Sequence, residues 1–94
     1  MFDATVSGSG EVLLSGRFDA SQANKAKAVF DKIDESCVVN FKDLEYISSA
    51  GLSVLLATQK RLMESGERLK LIHLNKYVGD VFRYAGFDTI FEIE

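Results

Sequence analysis

Three times in this chain an apolar run breaks off at a cap-forming polar residue and a helical spacing of apolar residues takes over. Phe18 gives way to Asp19-Ala20-Ser21, Ile47 to Ser48-Ser49, and Leu74 to Asn75. A strand that hands over to a helix returns to the sheet by a crossover, so the strands on either side pair parallel. Ahead of the first crossover, Phe2 to Ser7 and Glu11 to Ser15 flank Gly8-Ser9-Gly10 and read as an antiparallel hairpin. No Lys-Ser or Lys-Thr follows those glycines and the next element is a strand, so they are turn residues and not a phosphate loop.

The first helix places Ala23, Ala26, Phe30 and Ile33 on one face, with Lys25, Lys27, Asp31 and Lys32 on others; Asp19 or Ser21 can cap it. Cys37-Val38-Val39-Asn40-Phe41 is a third strand, nearly continuous in apolar character, and Lys42 to Tyr46 a short polar connection. In the second helix Leu52, Leu55, Leu56, Leu62 and Met63 form a stripe broken by Gln59, and Gly66 ends it. Arg68 to Leu74 is a fourth strand. Asn75 caps a third helix with Val78, Val81, Phe82 and Ala85 at i, i+3, i+4 and i+7, and Gly86 stops it. Ile90 to Ile93 is a short last strand or an extended tail. The predicted class is α/β: a small mixed β-sheet in the order ββαβαβα with a possible final β, helices packed on it, forming one domain over residues 1–94.

Composition excludes several functions. An apolar share of 47% rules out disorder as the default, and a net charge of −3 argues against a nucleic-acid partner, which wants a basic face. No apolar run approaches the roughly 18 residues of a membrane span, and no leader pattern opens the chain, so the expected location is the cytoplasm. Cys37 is the only cysteine and His73 the only histidine. They lie in separate strand-like runs, Cys37 reading as a small hydrophobe and His73 as a residue on the outside or end of a strand. Asp19, Asp43, Glu45 and Ser49 could be imagined as a carboxylate–hydroxyl site, yet so small a core leaves little to build a water-excluding pocket. No catalytic residue, metal ligand or cofactor is expected.

The stretch Tyr46-Ile47-Ser48-Ser49-Ala50-Gly51-Leu52 is the most informative. A helix start gathers free N–H groups and the positive end of the helix dipole, so a serine there serves equally as a cap or as a hydroxyl placed for phosphorylation. Local chemistry does not choose between the two.

The hairpin start, Leu14-Ser15-Gly16-Arg17-Phe18-Asp19, Val38-Val39-Asn40-Phe41, the Ser48–Leu52 junction and Val81-Phe82-Arg83-Tyr84-Ala85-Gly86-Phe87 together resemble a STAS domain. The resemblance spans essentially the whole chain and is strongest to the free-standing bacterial anti-sigma factor antagonists. In that family the junction commonly reads Asp-Ser-Ser-Gly-Leu, and the serine after the aspartate is phosphorylated. By position, Ser49 matches the phosphoacceptor, Ser48 stands for the aspartate, Ala50 for the second serine, and Gly51 and Leu52 match directly. Asp19 matches an acidic residue ending the second strand near the switch serine. The resemblance implies a partner-binding face of Asp19, Ser48, Ser49, Ala50, Gly51 and Ser53. It also implies an anti-sigma factor/serine-protein kinase as partner, a PP2C-type phosphatase that resets the switch, and a role in transcription regulation. A second implied possibility is a small STAS subunit of a transporter ATPase complex, with no phosphorylation cycle.

Overall fold

The two runs around Gly8 to Gly10 form the expected hairpin: β1 (Asp3–Val6) and β2 (Val12–Phe18) pair antiparallel, with Asp3 opposite Ser15 and Val6 opposite Val12. The structure, a computed structural model, describes residues 1–94. β3 (Cys37–Ile47), β4 (Leu69–Ile72) and β5 (Glu92–Ile93) each add parallel, giving a five-stranded sheet in the order β1-β2-β3-β4-β5. The C-terminal tail is thus a true strand, with Lys70 opposite Glu92.

Parallel connections share one hand as a rule, so three crossovers that advance in one direction place their helices on the same face of the sheet. That face carries Val12, Leu14 and Phe18 of β2, Val39, Phe41, Leu44 and Ile47 of β3, and Leu69 and Leu71 of β4, all buried in one cluster of 19 residues. The alternate positions Leu13, Arg17, Asn40, Tyr46, Lys70 and Ile72 remain exposed or half-buried on the other face.

β3 runs well past the predicted strand. Lys42 to Tyr46 is not a connection but its second half. The register against β2 shifts between Leu13 and Ser15 and again between Gly16 and Arg17, so nine residues from Val39 to Ile47 face seven from Val12 to Phe18. Each shift is a bulge that adds one residue to β3. Phe41, Leu44 and Ile47 therefore point inward at a spacing of three, while Lys42-Asp43 and Glu45-Tyr46 face outward as pairs. Period two is lost, and with it the usual signature of a strand.

A short 3-10 turn (Ala20–Gln22), capped by Asp19, precedes α1 (Ala23–Phe30), which buries Ala26 and Phe30; Ile33 lies beyond its end. α2 (Ser49–Met63) buries Gly51, Leu52, Leu55, Thr58, Gln59 and Leu62. Met63 is 56% exposed and Leu56 only half-buried, so the inward stripe differs from the expected one. Gln59 belongs to that stripe. Its Nε2 donates to the Ile90 carbonyl at 2.8 Å and its Oε1 accepts from the Leu69 N–H at 2.8 Å, so the buried amide is satisfied at both ends. Gly66, at φ +80°, closes α2: its N–H donates to the Met63 carbonyl at 3.1 Å and that of Glu67 to the Leu62 carbonyl at 2.9 Å.

α3 (Lys76–Tyr84) starts as predicted, with Asn75 Oδ1 accepting from the Val78 N–H at 2.8 Å. It buries Val78 and Phe82, whose ring meets Phe41 edge-on at 5.9 Å and Phe91 at 5.5 Å. His73, exposed and at φ 60°, lies just past the end of β4. No helix is long and apolar enough to cross a membrane.

Candidate functional site

Ile47 closes β3 in register with Phe18, and the Ser48 N–H then donates to the Phe18 carbonyl at 2.9 Å. This last rung sets Ser48 beside the chain leaving β2, and so brings Asp19 and Ser48 to the same end of the sheet. Ser48 remains extended (φ −94°, ψ 173°), its hydroxyl accepts from the Gly51 N–H at 3.3 Å and its carbonyl from the Leu52 N–H at 2.9 Å. Ser48 is the N-cap of α2.

The two serines are thereby separated in role. Ser48 is half-buried with its hydroxyl engaged, whereas Ser49 is exposed as the first residue of α2 and contributes its carbonyl to Ser53 Oγ at 3.0 Å. Ser53 lies one turn on and is also exposed; Ala50 is half-buried between them. With the Gly51 and Leu52 N–H groups already bonded to Ser48, only those of Ser49 and Ala50 stay free at this helix start. An anion here meets two backbone donors, not the three of Ala50, Gly51 and Leu52 that a simple helix start offers.

Gly51 departs from its expected place on the binding face. It is buried, and a Cβ built on it would fall 2.9 Å from Ile47 Cγ1 and 3.0 Å from Phe18 Cγ. The glycine allows α2 to settle onto the Phe18 ring, which is itself packed at 4.6 Å against Phe2. Its reason for being small lies in the core.

Asp19 is half-buried, and its Oδ1 accepts from the Ser21 N–H at 3.1 Å and from Ser21 Oγ at 2.6 Å. The carboxylate holds the entry to α1 while adding negative charge near the start of α2. Between α1 and α2 an open groove of about 590 Å³ includes Ala50, Ser53, Val54 and Ala57 from α2, with Lys27 and Arg61 at its margins. It runs directly on from the Ser49 turn. Ala50 and Ser53 carry the groove up to the turn of the exposed Ser49, and Asp19 ends the strand beside it.

Cys37 is half-buried, and burial, followed by the nearby Glu35 charge, pushes its thiol pKa up and keeps it protonated. Sequence reasoning passed over Arg17, which holds its guanidinium 4.3 Å from the centroid of the Tyr46 ring, and Tyr77, which stacks on Tyr46 at 6.0 Å and 16°. The signal that finds the first pair is positional: each stands one residue before the last paired rung of its strand.

Together these features define a class: a small mixed-sheet α/β module with an exposed serine at a helix start, an aspartate at the end of the adjoining strand and an open groove along the same helix. The family described as Mlab, STAS domain matches residues 2–92, and the chain belongs to the STAS family. BtrV of Bordetella bronchiseptica, a protein assigned as an anti-sigma factor antagonist, is 37% identical over 82 residues, covering 87% of this chain and 70% of its own. A Thermotoga maritima structure with the same assignment superposes at TM-score 0.81 with 25% identity, covering 99% of this chain and 85% of that one. The unphosphorylated form of the anti-sigma factor antagonist SpoIIAA superposes at TM-score 0.76 with 18% identity, covering 100% of this chain and 88% of that one. At that identity the last match speaks for the fold.

Proposed function

We propose that this protein is an anti-sigma factor antagonist switched by phosphorylation of Ser49. Unmodified, the Ser49 turn and the adjoining groove dock an anti-sigma factor that is also a serine-protein kinase. Transfer of a phosphoryl group to Ser49 Oγ ends the complex, and a PP2C-type phosphatase restores it, all in the cytoplasm. The observation that carries this reading is the division of labour between the serines: Ser48 is engaged as the cap, and Ser49 beside it is exposed. Phosphorylation adds about −1.5 to −2 charge. The free N–H groups of Ser49 and Ala50 and the dipole of α2 lower its cost inside this chain. A partner that has desolvated the same surface gains a buried charge beside Asp19, and affinity falls without a change of fold.

The test is phosphosite mapping after incubation with the cognate kinase, paired with binding titrations. Phosphate on Ser49, tight binding by Ser49→Ala and weak binding by Ser49→Asp are expected; phosphate on Ser48 refutes the assignment. A second reading, a STAS subunit held permanently on a transporter ATPase, is favoured by Ser48 itself. A hydroxyl stands there where phosphorylated relatives carry an aspartate, and it serves as a cap. A stoichiometric ATPase partner with neither serine ever phosphorylated establishes that alternative.

A further inference from the structure

We propose that Phe2 is a positioning residue for the Ser49 turn: it acts through Phe18, and the order of the first turn of α2 depends on residues Met1 to Asp3 staying seated. Phe18 touches that turn twice. Its carbonyl accepts from the Ser48 N–H at 2.9 Å, and its ring lies where a Cβ on Gly51 would come within 3.0 Å. Ser49 and Ala50 stand between those two contacts in the chain and are fixed by them. Phe2 supports Phe18 in turn, with ring centroids 4.6 Å apart, and both side chains are fully buried.

The seating of Phe2 is built separately from the sheet. Asp3 opposite Ser15 is the first paired position of the hairpin, so Met1 and Phe2 lie outside the register. They lie instead against Gly16, whose φ is +81°: a Cβ there would overlap the Met1 carbonyl and stand 3.0 Å from Phe2 Cα. Only glycine lets the two backbones approach this closely. Lys25 of α1 also reaches the segment, its Nζ donating to the Phe2 carbonyl at 3.1 Å and standing 3.5 Å from Asp3 Oδ1. The Lys25 and Asp3 side chains are both about half exposed, so this latch is weak and the burial of the Phe2 ring supplies most of the hold.

Two separate aromatic groups make the effect local. Phe82 meets Phe41 and Phe91 around α3, and this group shares no ring pair with Phe2 and Phe18. A change at Phe2 therefore reaches the Ser49 turn through Phe18, whereas the same change at Phe91 acts at the opposite edge of the sheet, beside β5. A partner that docks on Ser49 finds the turn already ordered, and less freedom is lost on binding. That consequence rests on the reading of Ser49 as a docking switch; the packing beneath the turn does not.

Matched Phe2→Leu and Phe91→Leu variants of the full chain test this by native-state hydrogen exchange. The Gly51 and Leu52 amides, both bonded to Ser48, report on the turn, and the Val78 amide, bonded to Asn75 Oδ1 at the start of α3, is the reference. Phe2→Leu is expected to speed exchange at Gly51 and Leu52 by roughly tenfold or more and at Val78 by less than about threefold. Phe91→Leu should leave Gly51 and Leu52 within about threefold of the parent. Lys25→Met, which retains Phe2, should speed the same two amides, and Lys25→Arg should restore them. Titration with the kinase that docks on Ser49 should show weaker binding by Phe2→Leu than by Phe91→Leu. No acceleration at Gly51 and Leu52 in Phe2→Leu, equal acceleration at all three amides, or the same acceleration by Phe91→Leu would each overturn the proposal, since Phe2 would then be ordinary core. Amides indifferent to Lys25→Met overturn the latch, and equal binding by the two leucine variants overturns the role in docking. A chain that binds no such kinase refutes the Ser49 reading, and the exchange rates then decide the case of Phe2 alone.

Discussion

Gly51 rests directly on Phe18: the Cβ it lacks would stand 3.0 Å from the Phe18 ring, with Ile47 closer still on the other side. A larger side chain at this first turn has to displace the core, because both neighbours are fully buried and Phe18 is backed by Phe2. Gly51→Leu is therefore expected to cost about 3 kcal/mol or more, at the upper end of overpacking effects. Urea unfolding measures it. A variant as stable as the parent would show that the turn opens outward.

Ser48 and Ser49 should separate in stability as well as in modification. Ser48→Ala removes the α2 cap and is expected to cost about 1 kcal/mol. Ser49→Ala touches an exposed hydroxyl and should stay within about 0.5 kcal/mol. Equal losses in thermal unfolding would contradict the assignment of the cap.

Gln59→Leu replaces an amide of similar bulk and leaves the Leu69 N–H and the Ile90 carbonyl without their bonds. Each orphaned buried group costs about 1–3 kcal/mol. The loss should be accompanied by faster hydrogen exchange at the Leu69 amide. An increase in stability would mean that water reaches both groups.

Leu55 and Phe82 are fully buried in their helices, so alanine at either should cost about 2–5 kcal/mol. Lys60 on α2 and Glu64 just past its end are exposed, and alanine at either should change stability by no more than about 0.5 kcal/mol. Denaturant midpoints at a common slope decide the comparison.

Glu67 accepts from the Ser36 N–H at 2.7 Å, and chiefly this bond lowers its pKa below the usual glutamate value. A carboxylate depressed in the folded state binds its proton less readily there than in the unfolded chain. Its contribution is present above about pH 4.3 and fades as pH falls through the lower folded value. Glu67→Gln should therefore lie below the parent at neutral pH and converge with it in acid. A gap that persists unchanged throughout acid titration would rule out the linkage.

Much of the architecture was legible in the chain because its signals are local. The hairpin glycines, the Asn75 cap, the Gly66 and Gly86 stops and the parallel pairing all follow from residues close to the features they dictate. At the site, the residues alone left cap and acceptor open between two adjacent serines, and the bond from the Gly51 N–H to Ser48 Oγ is what gives Ser48 the cap. What escaped reading depends on partners distant in sequence. Gln59 looked like a break in an apolar stripe, since its two acceptor and donor partners lie 10 and 31 residues away. Gly51 was placed on the partner-binding face, since only the packed structure shows Phe18 and Ile47 closing on it. The second half of β3 looked like a loop because bulges erased its alternation.

Those bulges also govern where the chain tolerates a change of length. Tyr46, Ile47 and Ser48 are consecutive, yet one faces solvent, one the core and one the free end of a helix. Removing Glu45 would turn each into its neighbour's surroundings at once, a disturbance that no single substitution in the segment can equal. An added or lost residue at Gly8 to Gly10, where a side chain would meet nothing within 4 Å of either glycine, shifts no such sequence of environments. The hairpin turn can be resized; the approach to Ser49 is of fixed length.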